Sequence, residues 1–424
     1  MNDRPRRPHL NDQTKTTSVS SRRHKADYWL LILGALLLTI GLIVVYSISP
    51  GLAASQKISQ NYFITKQLIA VGLGVITFWI AASIKIDFWR KFARPLGVAA
   101  IIGCLIVMLT PINAAYPAHR WIRAGGLSFQ IAELIKLALL VYLASFISIQ
   151  WRRGRLADTN ATLKPLLILV FALGLVVAKL QSDLGSAAVM LAVIGAMAFT
   201  AGIPLKKIAL FFGLVVAFGV IAISSSAYRR ERLATYLHPE SNCQSSGYQA
   251  CQALISVGSG GVFGLGLGYS VQAYGYLPEA SNDSIFAIMA EKFGFVGTFL
   301  ILVIYGGFIT RLKYIIERTA DPFSRLLVVG VMAWLSTQVI INVGAMVGLL
   351  PLKGITLPLI SQGGTSLIFL TAALGIVFQV SRYTSYKVTE PDIDKYEDTN
   401  LYGGHDGRGY RRPHNPNLVA RPRA

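Results

Sequence analysis

The sequence predicts an all-α membrane protein that crosses the bilayer about ten times. Of its 424 residues 53% are hydrophobic and only 14% charged, far from the balance of a soluble domain. The apolar residues collect into uncharged runs of about 17–25 residues, the length that crosses roughly 30 Å of hydrocarbon. Lys and Arg recur in every second connection, as the positive-inside rule requires. Backbone facing lipid must satisfy its own hydrogen bonds, and runs this long are helices rather than the short alternating strands of a barrel.

The elements follow in order. Residues 1–26 are polar and basic, with too little apolar surface to fold, and read as a disordered cytoplasmic tail. The first span, from Asp27 to about Ser49, is too long for a signal-peptide core, so it is expected to remain as an uncleaved anchor. Further spans are expected near 62–84, 95–112, 130–149, 165–180, 185–203, 207–225, 284–310, 325–347 and 364–381, each bounded by charged residues, Pro or Gly. An even number of spans places both termini in the cytoplasm, and residues 386–424 read as a second disordered tail. The membrane domain is therefore expected over 27–385, with one long extracytoplasmic loop, 226–283, between spans seven and eight. Its mixture of aromatic, Gly and apolar residues argues for an ordered cap on the membrane surface.

The formal charge of +20 is spread over tails and short loops, so it reports topology and not nucleic-acid binding. Cys104 lies inside a span as packing. Cys243 and Cys251 share the outer loop, where a disulfide or two free thiols are both open. No His-Glu-x-x-His, paired Cys-x-x-Cys or Gly-x-Ser-x-Gly element occurs, which argues against protease, lipase-type and zinc chemistry. A magnesium or manganese ion held partly by substrate phosphates would leave little trace in sequence, and no residue is assigned to one.

Several polar segments are expected to meet at the outer face. The first runs from His119 to Gln130 and leads into a span with Glu133 and Lys136, one turn apart on one helix face and able to pair. The second, Lys179 to Ser186, breaks an apolar run; its Asp183 is either a helix cap or a site wall. The third, Arg229, Arg230 and Arg232, is a cationic cluster suited to a lipid phosphate or diphosphate, or else merely tolerated in a long translocated loop. Gly258–Gly268 lacks the Lys-Ser/Thr of a phosphate loop and reads as glycine-mediated packing.

Leu277–Gly294 then carries a polar loop into an apolar helix with Asp283 and Glu291. Asp283 is the candidate general base. A helix N-terminus would lower its pKa and burial would raise it; the sequence leaves the balance open. Glu291 reads as structural, on a stripe with Ala287, Ala290 and Gly294. Finally, Leu350–Ser366 holds two prolines and three glycines, an irregular backbone that must be buried in protein or line a wet cavity.

These motifs resemble the SEDS proteins, the FtsW/RodA family of peptidoglycan glycosyltransferases. The resemblance spans residues 28–385 and rests on Arg120-Trp-Ile, Phe129-Gln130 with Glu133-x-x-Lys136, Gln181-x-Asp-Leu-Gly185, Gly258-x-Gly-Gly, Leu277-Pro-Glu-Ala-x-x-Asp283, Leu350-Pro-x-x-Gly354 and Leu357-Pro-x-x-Ser361-x-Gly-Gly364. It departs from the family at Ile131-Ala132, Ser182, Ala273 and Gln362. It implies ten spans in the bacterial cytoplasmic membrane, lipid II and the growing glycan strand as substrates, undecaprenyl diphosphate as leaving group, and Asp283 as the essential carboxylate. Arg120, Glu133, Lys136, Gln181, Asp183, Arg229 and Ser361 become the expected substrate-binding set. A class B penicillin-binding transpeptidase and other division-complex membrane proteins are the implied partners, and the long basic tails favour the division branch at the septum over RodA-like elongation. The rival from another class is a lipid II flippase, which would also need a polar membrane cavity.

Overall fold

The computed structural model describes residues 26–109, 120–124, 127–181, 183–224, 230, 236, 243–245 and 247–383. The two tails and Arg229 and Arg232 of the cationic cluster lie outside the described residues. Among the described residues eleven α-helices are found: α1 Tyr28–Gln56, α2 Tyr62–Ser83, α3 Ile86–Leu109, α4 Ile131–Arg152, α5 Lys164–Leu173, α6 Leu184–Thr200, α7 Leu205–Ser224, α8 Tyr248–Ser259, α9 Ile285–Arg318, α10 Pro322–Met346 and α11 Gly364–Ser381. Short π-helical segments, Thr159–Leu163 and Gly174–Leu180, flank α5. All but α8 sit at the positions expected for spans. Eight of these helical stretches are long and apolar enough to cross a membrane, and α6 is a shorter apolar helix.

The chain is not wholly helical. Strands β1 (Trp121–Ala124) and β2 (Leu127–Gln130) form an antiparallel hairpin leading into α4, with Trp121 opposite Gln130. The expected start of the third span at 95 also proves late. Pro95 lies inside α3, which begins at Ile86, so here the proline is accommodated within a helix instead of starting one.

α4, α10 and α11 are the buried inner helices, while α1, α2, α3 and α9 keep large exposed apolar faces. Small residues let backbones approach, the usual packing device where lipid removes the hydrophobic drive between helices. A Cβ on Gly375 of α11 would lie 2.3 Å from the Phe78 carbonyl of α2, and one on Gly330 of α10 would lie 2.2 Å from Leu140 Cδ1 of α4.

Charge is used at the end of the bundle opposite Asp283. Asp321 caps α10 through the Ser324 amide (3.0 Å) and accepts from Arg90 (3.0 Å) and Arg152 (3.2 Å), joining α3, α4 and α10. Burial pushes its carboxyl up, but Ser324 and the two guanidiniums outweigh that and hold it below the usual carboxylate range. Asp27 pairs with Arg311 of α9 (2.5 Å), and its amide donates to Ser381 Oγ of α11 (3.1 Å). The first and last described helices therefore begin and finish at the same end, as an even number of crossings requires.

Candidate active site

Asp283 stands just before α9, whose N-cap is Ser284. Its turn is held from three directions. Asn342 of α10 donates from Nδ2 to the Asp283 carbonyl and to the Ile355 carbonyl, both at 2.7 Å. Ser361 Oγ donates to the Asn282 carbonyl (2.6 Å) and accepts from the Leu357 amide (2.7 Å). The Gln362 amide donates to the Ser281 carbonyl (2.9 Å). The 347–363 connection is thus the bed on which the Asp283 turn lies.

That bed is irregular, as its prolines and glycines imply, and its Leu357–Ser361 stretch is buried while Gly348, Leu349 and Gly354 stay exposed. Tyr305 of α9 donates to the Pro358 carbonyl (2.5 Å), and a Cβ on Gly41 of α1 would lie 2.5 Å from the Ile360 carbonyl. Leu359 (φ 65°) in this bed and Glu279 (φ 52°) in the Asp283 turn both adopt the left-handed region. Non-glycine residues hold such conformations only where their surroundings over-determine them, and these two flank the same carboxylate. Gly354 packs against it: a Cβ there would lie 3.1 Å from Asp283 Oδ2.

Part of the Asp283 side chain stays open at the mouth of the bundle, yet protein crowds it on nearly every side. This burial, with the charges of Glu279 and Asp183 added, pushes its carboxyl from the ordinary 3.8 to about 7, against the opposing pull of Arg120. Burial is the largest influence on the carboxyl, and Ser284 rather than Asp283 occupies the N-cap of α9. Among the described residues the carboxylate makes no hydrogen bond to the first-turn amides of α9.

The other expected site residues fall into distinct places. Arg120 precedes β1 and donates from Nε to the Gln181 carbonyl (2.6 Å), tying the hairpin to the turn before α6. Asp183 is the N-cap of α6, accepting from the Ser186 amide (2.9 Å) and hydroxyl (2.8 Å), with Gln130 Nε2 at 3.4 Å. The cap reading of Asp183 is the one these bonds describe, and its charge also acts on Asp283. Glu133 and Lys136 form a buried ion pair at 2.8 Å, with the ammonium 5.1 Å from the Trp334 ring centre. A water-sized cavity of about 20 Å³ joins this pair to Gln130, Ser186, Gln338 and Gly354, and so approaches Asp283 from behind. Gln181 is buried and contributes its carbonyl, while the buried Ser361 hydroxyl is engaged by protein on both sides, so it positions the Asp283 turn.

Glu291 is structural in a way its sequence did not specify. It accepts from Ser270 Oγ (2.5 Å), the Val271 amide (2.9 Å) and the Gln272 amide (3.3 Å), clamping the loop before Asp283 onto α9. The reading of Gly258–Gly268 as a packing element agrees: a Cβ on Gly260 would lie 1.9 Å from the Ala290 carbonyl. Asn342 was missed. A lone Asn in the apolar run of α10, four residues after Gln338, was the available signal. Among the described residues no group of three or more His, Cys, Asp or Glu side chains is arranged to hold a metal ion.

Apolar helical crossings around a crowded aspartic acid, with a buried ion pair nearby, define a polytopic membrane protein with a polar cluster at one mouth of its bundle. The chain belongs to the FtsW/RodA/SpoVE family, whose model, described as a cell cycle protein, matches residues 28–386. It is 36% identical to stage V sporulation protein E of Bacillus subtilis over 87% of this chain and 100% of that protein. It is 34% identical to the probable peptidoglycan glycosyltransferase FtsW of Coxiella burnetii, over 84% of this chain and 96% of the relative. Among solved structures, a chain from a peptidoglycan synthase complex that coordinates polymerization and crosslinking superposes with TM-score 0.67 at 27% identity, covering 84% of this chain and 98% of that one. The rod shape determining protein RodA of Thermus thermophilus superposes with TM-score 0.61 at 27% identity, covering 85% and 98%.

Proposed function

We propose that this chain is a peptidoglycan glycosyltransferase that polymerises lipid II at the outer face of the bacterial cytoplasmic membrane, with Asp283 as general base. The observation that carries the reading is the Asp283 carboxyl itself, raised by burial to about 7 where the Arg120, Asp183 and Gly354 segments converge. Relatives named as probable peptidoglycan glycosyltransferases give the reaction class. A base of this pKa is substantially ionised near neutrality and still basic enough to take a proton from a sugar hydroxyl.

In the proposed step Asp283 removes the proton of the acceptor hydroxyl as its oxygen attacks the anomeric carbon of the donor. The bond to the diphosphate breaks with inversion, and undecaprenyl diphosphate leaves with the electron pair. Arg120 lies close enough to act on the charge of Asp283 and would steady the diphosphate; Arg229, the Glu133–Lys136 pair, Gln181, Asp183 and Ser361 make up the rest of the proposed substrate-binding set. Sidedness follows from the basic end of the bundle, where Arg90, Arg152 and Arg311 gather, being cytoplasmic. The disulfide between Cys243 and Cys251 supports it, since such bonds persist in oxidising compartments. A class B penicillin-binding transpeptidase would supply crosslinking, and the septum is the proposed site of action.

The test is incubation of the purified protein, with its transpeptidase partner, on labelled lipid II in detergent. Wild type is expected to form glycan chains and Asp283→Asn none. Chains at full rate from a folded Asp283→Asn would remove the base assignment. Translocation of lipid II in vesicles without any polymer would favour the flippase.

A further inference from the structure

We propose that the uncharged loop from Val262 to Tyr276 is a lipid-contact surface that enters the headgroup–acyl boundary of the leaflet at the Asp283 end. The stretch Tyr248–Pro278 contains no Asp, Glu, Lys or Arg. Within it Phe263 is 82% exposed and Tyr269 78%, with Val271, Tyr274 and Tyr276 each more than half exposed. An uncharged aromatic surface of this kind on a polar face needs a covering.

The exposure does not come from a slack loop. The Leu265 and Gly266 amides donate to the Glu291 and Lys292 carbonyls, and the Phe295 and Val296 amides donate back to the Gly261 and Val262 carbonyls, all at 2.9–3.0 Å. Lys292 Nζ donates to the Leu267 carbonyl. With its backbone locked to α9 in this way, the loop holds its aromatic side chains outward.

Two observations decide for lipid as the occupant. The first is continuity. Phe295, Phe299 and Leu300 on α9 are 68%, 54% and 56% exposed and form part of its lipid face, and Phe295 is bonded through its backbone to Gly261, two residues from Phe263. The second is depth. The Asp27–Arg311 pair marks the opposite boundary. From Arg311 back to Gly294, at about 1.5 Å per residue, is about 26 Å, close to the hydrocarbon thickness. Phe263 therefore lies near the edge of the acyl region. The same measure along α1, from Asp27 to Gly51, gives about 36 Å, the headgroup level. Tyr274 is found there: a Cβ on Gly51 would lie 2.9 Å from its ring. The loop rises from the acyl edge, where a phenylalanine suits, to the headgroups, where tyrosines place an apolar ring and a wet hydroxyl.

The experiment uses the full chain in nanodiscs of phosphatidylethanolamine and phosphatidylglycerol. A nitroxide is attached without reductant to Phe263→Cys or, separately, Tyr269→Cys, each in a Cys104→Ala background. Phe299→Cys serves as lipid reference and Glu317→Cys as water reference. The ratio of collisions with oxygen to collisions with a water-soluble nickel chelate is expected to be several-fold higher at 263 and 269 than at 317, approaching that at 299. A ratio like that at 317 would place the loop in water and overturn the proposal. Loss of both collision partners would mean protein cover, by a second copy or a partner, and would overturn it equally. Neither outcome touches the glycosyltransferase reading, which is tested by polymer formation.

Discussion

The proposed base, Asp283, ties activity and stability to one titration. Its folded pKa of about 7 exceeds the ordinary 3.8, so the folded protein binds a proton that the unfolded chain releases. Stability from this group is complete below about pH 4 and is lost as pH rises through about 7, a cost on the order of 4 kcal/mol at alkaline pH. Asp283→Asn should therefore raise the unfolding temperature at pH 8 and leave it nearly unchanged at pH 4, measured by thermal denaturation in detergent. Activity should run the opposite way in wild type, rising with pH to a plateau with an apparent midpoint near 7, because the base works ionised. Gly354 offers a gentler probe. A methyl 3.1 Å from Asp283 Oδ2 is tighter than ordinary contact, so Gly354→Ala should displace the carboxylate, lowering polymerisation about tenfold while costing under about 1.5 kcal/mol of stability. A polymerisation rate equal to wild type would show that the carboxylate has room to spare.

At the scale of the element, α9 is the unusual member. It is interrupted at Gly294 (φ 66°, ψ −167°), so the segment carrying Glu291 toward Asp283 is set at its own angle to the rest. That conformation belongs almost solely to glycine, and a Cβ there would also lie 2.3 Å from the Gly264 amide. Gly294→Ala is expected to destabilise by about 3 kcal/mol or more and to open the 260–276 loop to proteolysis. An unchanged protease pattern would count against the break as the loop's anchor. Glu291 completes the anchor through Ser270 and the Val271 amide. The structural role expected for Glu291 is met here in a specific form: it secures the connection that leads into the Asp283 turn.

For the whole molecule, polar groups divide between two ends. One end is stapled by Asp27–Arg311 and by Asp321 with Arg90 and Arg152; the other assembles the candidate site. Between them lies the Glu133–Lys136 pair, buried on both sides. Removing one partner leaves an uncompensated charge, so Lys136→Met should cost about 3–5 kcal/mol. The double change Glu133→Gln with Lys136→Met should recover much of that stability without recovering polymer. Recovery of both would reduce the pair to a structural role. Sidedness is checked at the Cys243–Cys251 disulfide: after reduction of intact cells, a membrane-impermeant maleimide should label Cys243, the more accessible of the two, from outside, and no labelling would count against the assignment.

The membrane class, the positions of ten helices and the family were legible in the residues alone, which also single out Asp283 as the candidate base. Apolar run length, charge spacing and ordered motifs are local properties of a chain that must satisfy its backbone inside lipid. Helical spacing also showed that Glu133 and Lys136 could pair, and Pro-Gly content that 350–366 would be irregular backbone packed in protein or lining a cavity. The sequence did not reveal the β1–β2 hairpin, the break at Gly294, the Asn342 clamp or the loop bound to Glu291, all of which depend on partners distant in the chain. The state of Asp283 belongs to the same group. A carboxylate beside a helix start has two opposed influences, and only the packing of Gly354, Asp183, Arg120 and Glu279 around it decides that burial prevails.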